Sequence, residues 1–221
     1  MEHRLSIVLQ TPPRAQVDNS YRELLQGYIY RVLREQPFGD AVHSSKYSLF
    51  TYQLFPIGGE RADGRLISTT GTWILRIASA YEEILNIVEE KAYKNKITIG
   101  QTEFNTVLTA REPFNSCADF EVDSVLVFSK DKKFLLAWEP GYTEAVTTAL
   151  AKRWEYLTNS QAPEIRFEFT EKPIVKKEQY KRRYLLTHSG SIHIESTPEM
   201  IKFVQSVGLG HKTSCGFGMV V

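Results

Sequence analysis

Five histidines and two cysteines are the side chains best suited to chemistry near neutral pH, and their spacing narrows what that chemistry is. Cys117 and Cys215 stand far apart with no partner pattern, so neither a disulfide framework nor a cysteine zinc site is expected. His188-Ser189-Gly190-Ser191 reads as a hairpin turn, which would let His188 and His193 face each other. Two imidazoles without carboxylates at ligand spacing hold a metal poorly, and no H-E-x-x-H occurs, so no metal and no cofactor are expected. His43 lies in Ala41-Val42-His43-Ser44-Ser45-Lys46-Tyr47, where an imidazole able to pass a proton has a lysine and a tyrosine close by in sequence. A lone loop histidine is more often a solvated side chain than a catalyst. His211, beside Lys212 in a glycine-rich tail, suits phosphate contact better than proton transfer.

Two further segments have the composition of a ligand site. Gly208-Leu209-Gly210-His211-Lys212-Thr213-Ser214-Cys215-Gly216-Phe217-Gly218 carries four glycines, which allow positive φ, close backbone approach and an anion nest of exposed N–H groups. It is not a Walker loop, because His211 rather than glycine precedes Lys212. Nor does it fit a dinucleotide fingerprint, which follows a strand and opens a helix. The second segment runs from Lys172 to Arg183, where Lys172, Lys176, Lys177, Lys181, Arg182 and Arg183 face only Glu178, with Tyr180 interleaved. Charge runs are usually solvated faces, yet on a near-neutral protein such a patch suits backbone phosphates.

The elements that must position these residues are legible from periodicity. Leu5, Ile7 and Leu9 alternate in a first strand. Ser20 then caps a helix to about Gln36 with the apolar stripe Tyr21, Leu24, Leu25, Tyr28 and Val32. Strands follow over Tyr47–Phe55 and Leu66–Ala78, then a helix with Tyr81, Ile84, Leu85 and Val88, then an extended Lys96–Leu108. That order is β-α-β-β-α-β, the ferredoxin-like pattern. The second half repeats it: a strand over Phe120–Phe128, a helix from Glu139-Pro140-Gly141 to Leu157, a strand at Ile165–Phe169, and strands Tyr184–Leu186 and Ile192–Glu195. A helix from Thr197-Pro198 and the terminal strand Met219-Val220-Val221 complete it. The expected fold is α+β: tandem ferredoxin-like (RRM-like) domains over residues 1–112 and 118–221, with the glycine-rich loop at the C-terminus.

Composition agrees with a packed protein. The 221 residues are 42% hydrophobic and 24% charged, with a net charge of +1, so any basic surface is local. No apolar run approaches bilayer thickness and the N-terminus lacks an apolar signal core, so a cytoplasmic chain without membrane contact is expected.

G-L-G-x5-G-F-G-x-V over residues 208–220, behind a second ferredoxin-like half, resembles the glycine-rich motif of the CRISPR repeat-processing endoribonucleases of the RAMP superfamily. The resemblance implies a metal-independent nuclease that cuts precursor CRISPR RNA within its repeats to release guide RNAs. It places the catalytic histidine in the connection that holds His43, and an active-site tyrosine on the first helix, where Tyr28 stands. It implies a cation, for which Lys46 is nearest, and makes Tyr47 an alternative partner. It also implies RNA contact by the tail (Gly208, Gly210, His211, Lys212, Gly216, Gly218), beside the basic run (Lys176, Lys177, Lys181, Arg182, Arg183). Repeat RNA is the expected partner, with an effector complex or a homodimer as further assemblies. A catalytically silent RAMP-type RNA-binding subunit is the alternative. A two-histidine phosphodiesterase is a third reading, since His43-Ser44-Ser45 and His211-Lys212-Thr213 both fit H-x-[ST].

Overall fold

The alternation in the first strand, β1 (His3–Gln10), places Leu5, Ile7 and Leu9 in a core where all three are fully buried. The computed structural model describes residues 3–18, 20–62 and 65–221. A short β2 (Gln16–Asp18) leads to α1 (Tyr21–Arg34), and a six-residue helix, α2 (Gly39–Ser44), leads to β3 (Phe50–Pro56). Next come β4 (Gly59–Ala62), β5 (Arg65–Ser68), β6 (Thr72–Ser79), α3 (Glu82–Lys94), β7 (Ile97–Ile99) and β8 (Thr102–Pro113). The main sheet runs β3-β6-β1-β8-β7, with β1 antiparallel to both β6 and β8. Its four long strands have the ferredoxin-like order, and β2, β5 and β4 form a separate small sheet. Tyr21, Leu25, Tyr28, Ile29 and Val32 of α1 and Ile84, Leu85 and Val88 of α3 close the core over it. Leu24, expected in that stripe, is exposed.

The second half contains β9 (Asp119–Val125), α4 (Tyr142–Thr158), β10 (Arg166–Phe169), β11 (Ile174–Tyr180), β12 (Arg183–Glu195), α5 (Pro198–Val207), a 3-10 turn (Thr213–Cys215) and β13 (Met219–Val220). The sheet order β10-β12-β9-β13 repeats the ferredoxin-like arrangement, with β11 added as a hairpin on β12. Thr197 caps α5, its hydroxyl accepting from the Met200 N–H at 3.3 Å, and Pro198 occupies the first turn, where no N–H is needed. The tandem fold expected from the sequence is the one observed.

Three local expectations change. The extended Leu66–Ala78 is two strands, because Gly71 turns at φ +76° where a side chain would strike the Thr11 carbonyl. The strand expected to Phe128 ends at Val125, and Phe128 instead bridges Phe134 across a loop. His188–Ser191 is no turn: it lies inside the continuous β12, where Gly190 marks a register shift against β9. His188 and His193 therefore share one strand. His188 is buried against Tyr142, and burial lowers its pKa. His193 pairs with Asp119 at 2.7 Å, which raises its pKa.

The two halves are pinned by a buried cation. Arg22 of α1, 1% exposed, donates to the Gly216 carbonyl, to Asp123 Oδ2 at 3.2 Å and to Ser124 Oγ at 3.0 Å, with Glu178 at 3.9 Å. Among the described residues no helix is long and apolar enough to cross a membrane.

Candidate functional site

A second face of α1 carries Glu23, Gln26, Gly27, Tyr30, Arg31 and Arg34 at helical spacing. Together with His43 of α2 and Lys181 they line a cavity of about 430 Å³. Pro37-Phe38 ends α1 and α2 folds back beside it, so His43 meets Tyr30 edge-on at 5.2 Å between ring centroids, 70° between planes. His43 is exposed, leaving its ring reachable from solvent. Tyr30 is partly buried. Burial raises its pKa against the opposing effect of a hydrogen bond to Ser214, so at neutral pH it keeps its O–H.

Tyr28 lies on the opposite side of the helix, buried in the core, and does not line this cavity. Tyr30 takes the position beside His43. The clue in the sequence is an aromatic ring on the polar stripe of α1, two residues out of phase with the apolar one. Lys46 and Tyr47 also lie elsewhere. With Lys130, Lys152, Arg153, His211 and Lys212 they line a second cleft, of about 680 Å³, beside the Pro140–Gly141 start of α4. Asp131 and Glu144 are its acidic members. The cleft combines an excess of cations with a helix N-terminus, a combination that attracts anions. His43 and His211 thus face different clefts, and the paired-histidine arrangement of a two-histidine phosphodiesterase is not assembled.

The glycine-rich tail is a packed element rather than an open nest. The N–H groups of Gly208, Leu209, His211, Gly216 and Gly218 all donate to backbone carbonyls, and the four tail glycines are buried. Gly216, at φ +81°, lies where a Cβ would come 2.5 Å from the Tyr52 ring; at Gly218, φ +68°, it would strike the Leu209 carbonyl. Buried Arg153 braces the tail by donating to the carbonyls of Val207 (2.9 Å), Gly208 (3.1 Å) and Gly210 (2.9 Å). Burial lowers its pKa to about 10, so it is still a cation at neutral pH. Only His211 and Lys212 of the tail reach the second cleft beside Gly210. Burial lowers the pKa of His211 and keeps the ring neutral.

The basic run is a hairpin whose cations point several ways. Lys176 pairs with Asp123 at 2.9 Å, and Lys177 sits 4.2 Å over the Tyr184 ring. Arg182 and Arg183 are exposed, and Lys181 reaches the His43 cavity. Glu178, the run's one acidic residue, is buried facing Arg22.

The fold that carries these clefts has counterparts among known proteins. Residues 115–221 match the family model described as CRISPR associated protein Cas6, C-terminal. This half of the chain belongs to the Cas6 family. The Cas6-type architecture extends over the whole chain. A Cas6-related protein from Pyrococcus furiosus superposes with a TM-score of 0.85 at 19% identity, over 100% of this chain and 98% of that one. A structure described as an RAMP protein binding different RNA substrates gives 0.85 at 16% identity, over 99% and 98%. A Cas6 product complex gives 0.68 at 11% identity, over 100% and 99%. At these identities the likeness is one of fold. No curated protein matches the chain in sequence.

Proposed function

We propose that this chain is a Cas6-type, metal-independent endoribonuclease that cuts precursor CRISPR RNA within its repeats. The observation that carries the reading is the pairing of His43 with Tyr30 in an open cavity rimmed by cations. Cleavage by the neighbouring 2′-oxygen requires a base for the 2′-OH proton, an acid for the departing O5′, and positive charge at the crowded phosphorus. An imidazole serves as base or acid according to which nitrogen holds the proton. The Tyr30 phenol, protonated at neutral pH, donates to a phosphate or ribose oxygen and holds the nucleotide against His43. Among the described residues Glu23 is the sole carboxylate lining the cavity, a donor set poorly suited to a divalent ion. The products are a cyclic phosphate on the upstream fragment and a 5′-hydroxyl on the downstream one.

The half spanning residues 1–112 then supplies the chemistry, and the half spanning 118–221 much of the RNA grip, through Lys130, Lys152, His211 and Lys212 of the second cleft. That cleft also supports the second reading, a silent RNA-binding subunit, because its cations serve binding whether or not the RNA is cut. Incubation with repeat RNA in EDTA separates the two. The nuclease leaves a cyclic phosphate and a 5′-hydroxyl, and fails on a substrate lacking the 2′-OH upstream of the scissile phosphate. Binding without cleavage in any divalent-ion condition supports the silent subunit, and activity that vanishes in EDTA and returns with magnesium overturns the metal-independent mechanism.

A further inference from the structure

We propose that Lys181, at the tip of the β11–β12 hairpin, supplies the positive charge at the scissile phosphate, so that the second half completes an active site built on the first. The inference rests on the nuclease reading and adds a residue to it. Lys46, the lysine nearest His43 in sequence, lines the other cleft, so the cation for the His43 cavity comes from elsewhere. Arg31 and Arg34 line that cavity too and, like Lys181, are exposed; Lys181 differs in standing at the tip of a hairpin fastened to α1.

Lys181 is placed by a dedicated anchor. The residue before it, Tyr180, is buried against Phe217, and its hydroxyl donates to Gln26 Oε1 at 2.7 Å. Gln26 lies one helical turn before Tyr30, so the hairpin tip is fastened beside the tyrosine that faces His43. The turn itself is unusual. Lys181 and Arg182 form a two-residue connection with φ +47° and +59°, a geometry that normally selects glycine or asparagine. Long side chains held in left-handed backbone mark a site where the side chain, rather than the turn, is needed.

In the reaction, the 2′-OH proton passes to the base, the O2′–P bond forms, the P–O5′ bond breaks and O5′ receives a proton. The Lys181 ammonium transfers nothing; it offsets the charge gathering on the non-bridging oxygens. The test is single-turnover cleavage of repeat RNA at saturating protein, with binding measured in parallel. Lys181→Ala is expected to slow cleavage about 10²-fold or more, with binding weakened no further than in Arg182→Ala. Lys181→Arg recovers part of the rate, and Lys94→Ala, an exposed cation of α3 outside both clefts, cuts at the wild-type rate. Lys181→Gly, which suits the positive φ, is as slow as Lys181→Ala and so excludes a folding defect. Wild-type cleavage by Lys181→Ala, or a loss equal to that of Arg182→Ala, overturns the assignment of Lys181 alone. Wild-type protein that binds repeat RNA without cutting it overturns the nuclease reading, and this assignment with it.

Discussion

Tyr28 and Tyr30, two residues apart on one helix, separate a structural hydroxyl from a functional one. The Tyr28 hydroxyl is buried with no hydrogen-bond partner among the described residues, and burial pushes its pKa up to about 12. Tyr28→Phe should therefore leave cleavage unchanged and hold or raise the melting temperature, since leaving a buried polar group unpaired costs about 1–3 kcal/mol. Tyr30→Phe should lower stability by about 0.5–1.5 kcal/mol through loss of the Ser214 hydrogen bond, and slow cleavage about tenfold, the worth of one hydrogen bond in the transition state. The reverse pattern would return the active-site role to Tyr28. His43→Ala should lower the single-turnover rate by about 10²–10⁴-fold with repeat binding nearly unchanged, and unimpaired cleavage would remove His43 from the mechanism.

At the scale of elements, α1 carries a glycine in its interior. A Cβ at Gly27 meets nothing within 4 Å, and the residue lines the His43 cavity. Gly27→Ala should stabilise the protein by about 0.5–1 kcal/mol in urea unfolding, and Gly27→Leu should fill the cavity and block RNA. Loss of stability in the alanine variant would show that the helix needs the glycine for its own packing. The hairpin shows why the active site is less legible than the fold. Gly190 advertised a turn and instead serves a register shift within β12, while the real turn is made by Lys181 and Arg182, types that signal no turn at all. Period-two and helical stripes recover the ferredoxin-like order because the core demands them. Tyr30 and Lys181 obey no stripe, since they answer to the cavity.

Across the whole molecule, the cations of the second cleft make a separate prediction. Replacing Lys46, Lys130, Lys152 and Lys212 by Ala should weaken RNA binding and flatten its salt dependence, by about 0.7 in log–log slope for each single-strand phosphate that is no longer neutralised. An unchanged slope would leave the cleft a solvated surface. Acid stability reports on the seam between the halves. Burial alone would raise the Asp123 pKa, but Arg22 and Lys176 outweigh it and hold the carboxyl well below the usual range. Its contribution is complete above the unfolded pKa of about 3.9, and is lost as pH falls below that value toward the folded one. Asp123→Asn should therefore lose stability at neutral pH and decline less steeply in acid, as read from urea midpoints between pH 3 and 7. Equal acid limbs in both proteins would show that Arg22 is held by its other acceptors. This seam was not visible beforehand, because nothing in local spacing links residue 22 to residues 123, 124, 178 and 216.

The same arginine bears on how such a chain can be recombined. The groups that accept from its guanidinium, on Gly216, Asp123 and Ser124, lie in the other half, so exchanging a second half between relatives succeeds only when these acceptors travel with a matching first helix. Despite their matching topology, the halves are not interchangeable modules. A first half produced alone returns Arg22 to water but uncovers the Tyr52 ring against which Gly216 packs, so it is expected to precipitate, and Arg22→Met would worsen this by adding exposed apolar surface.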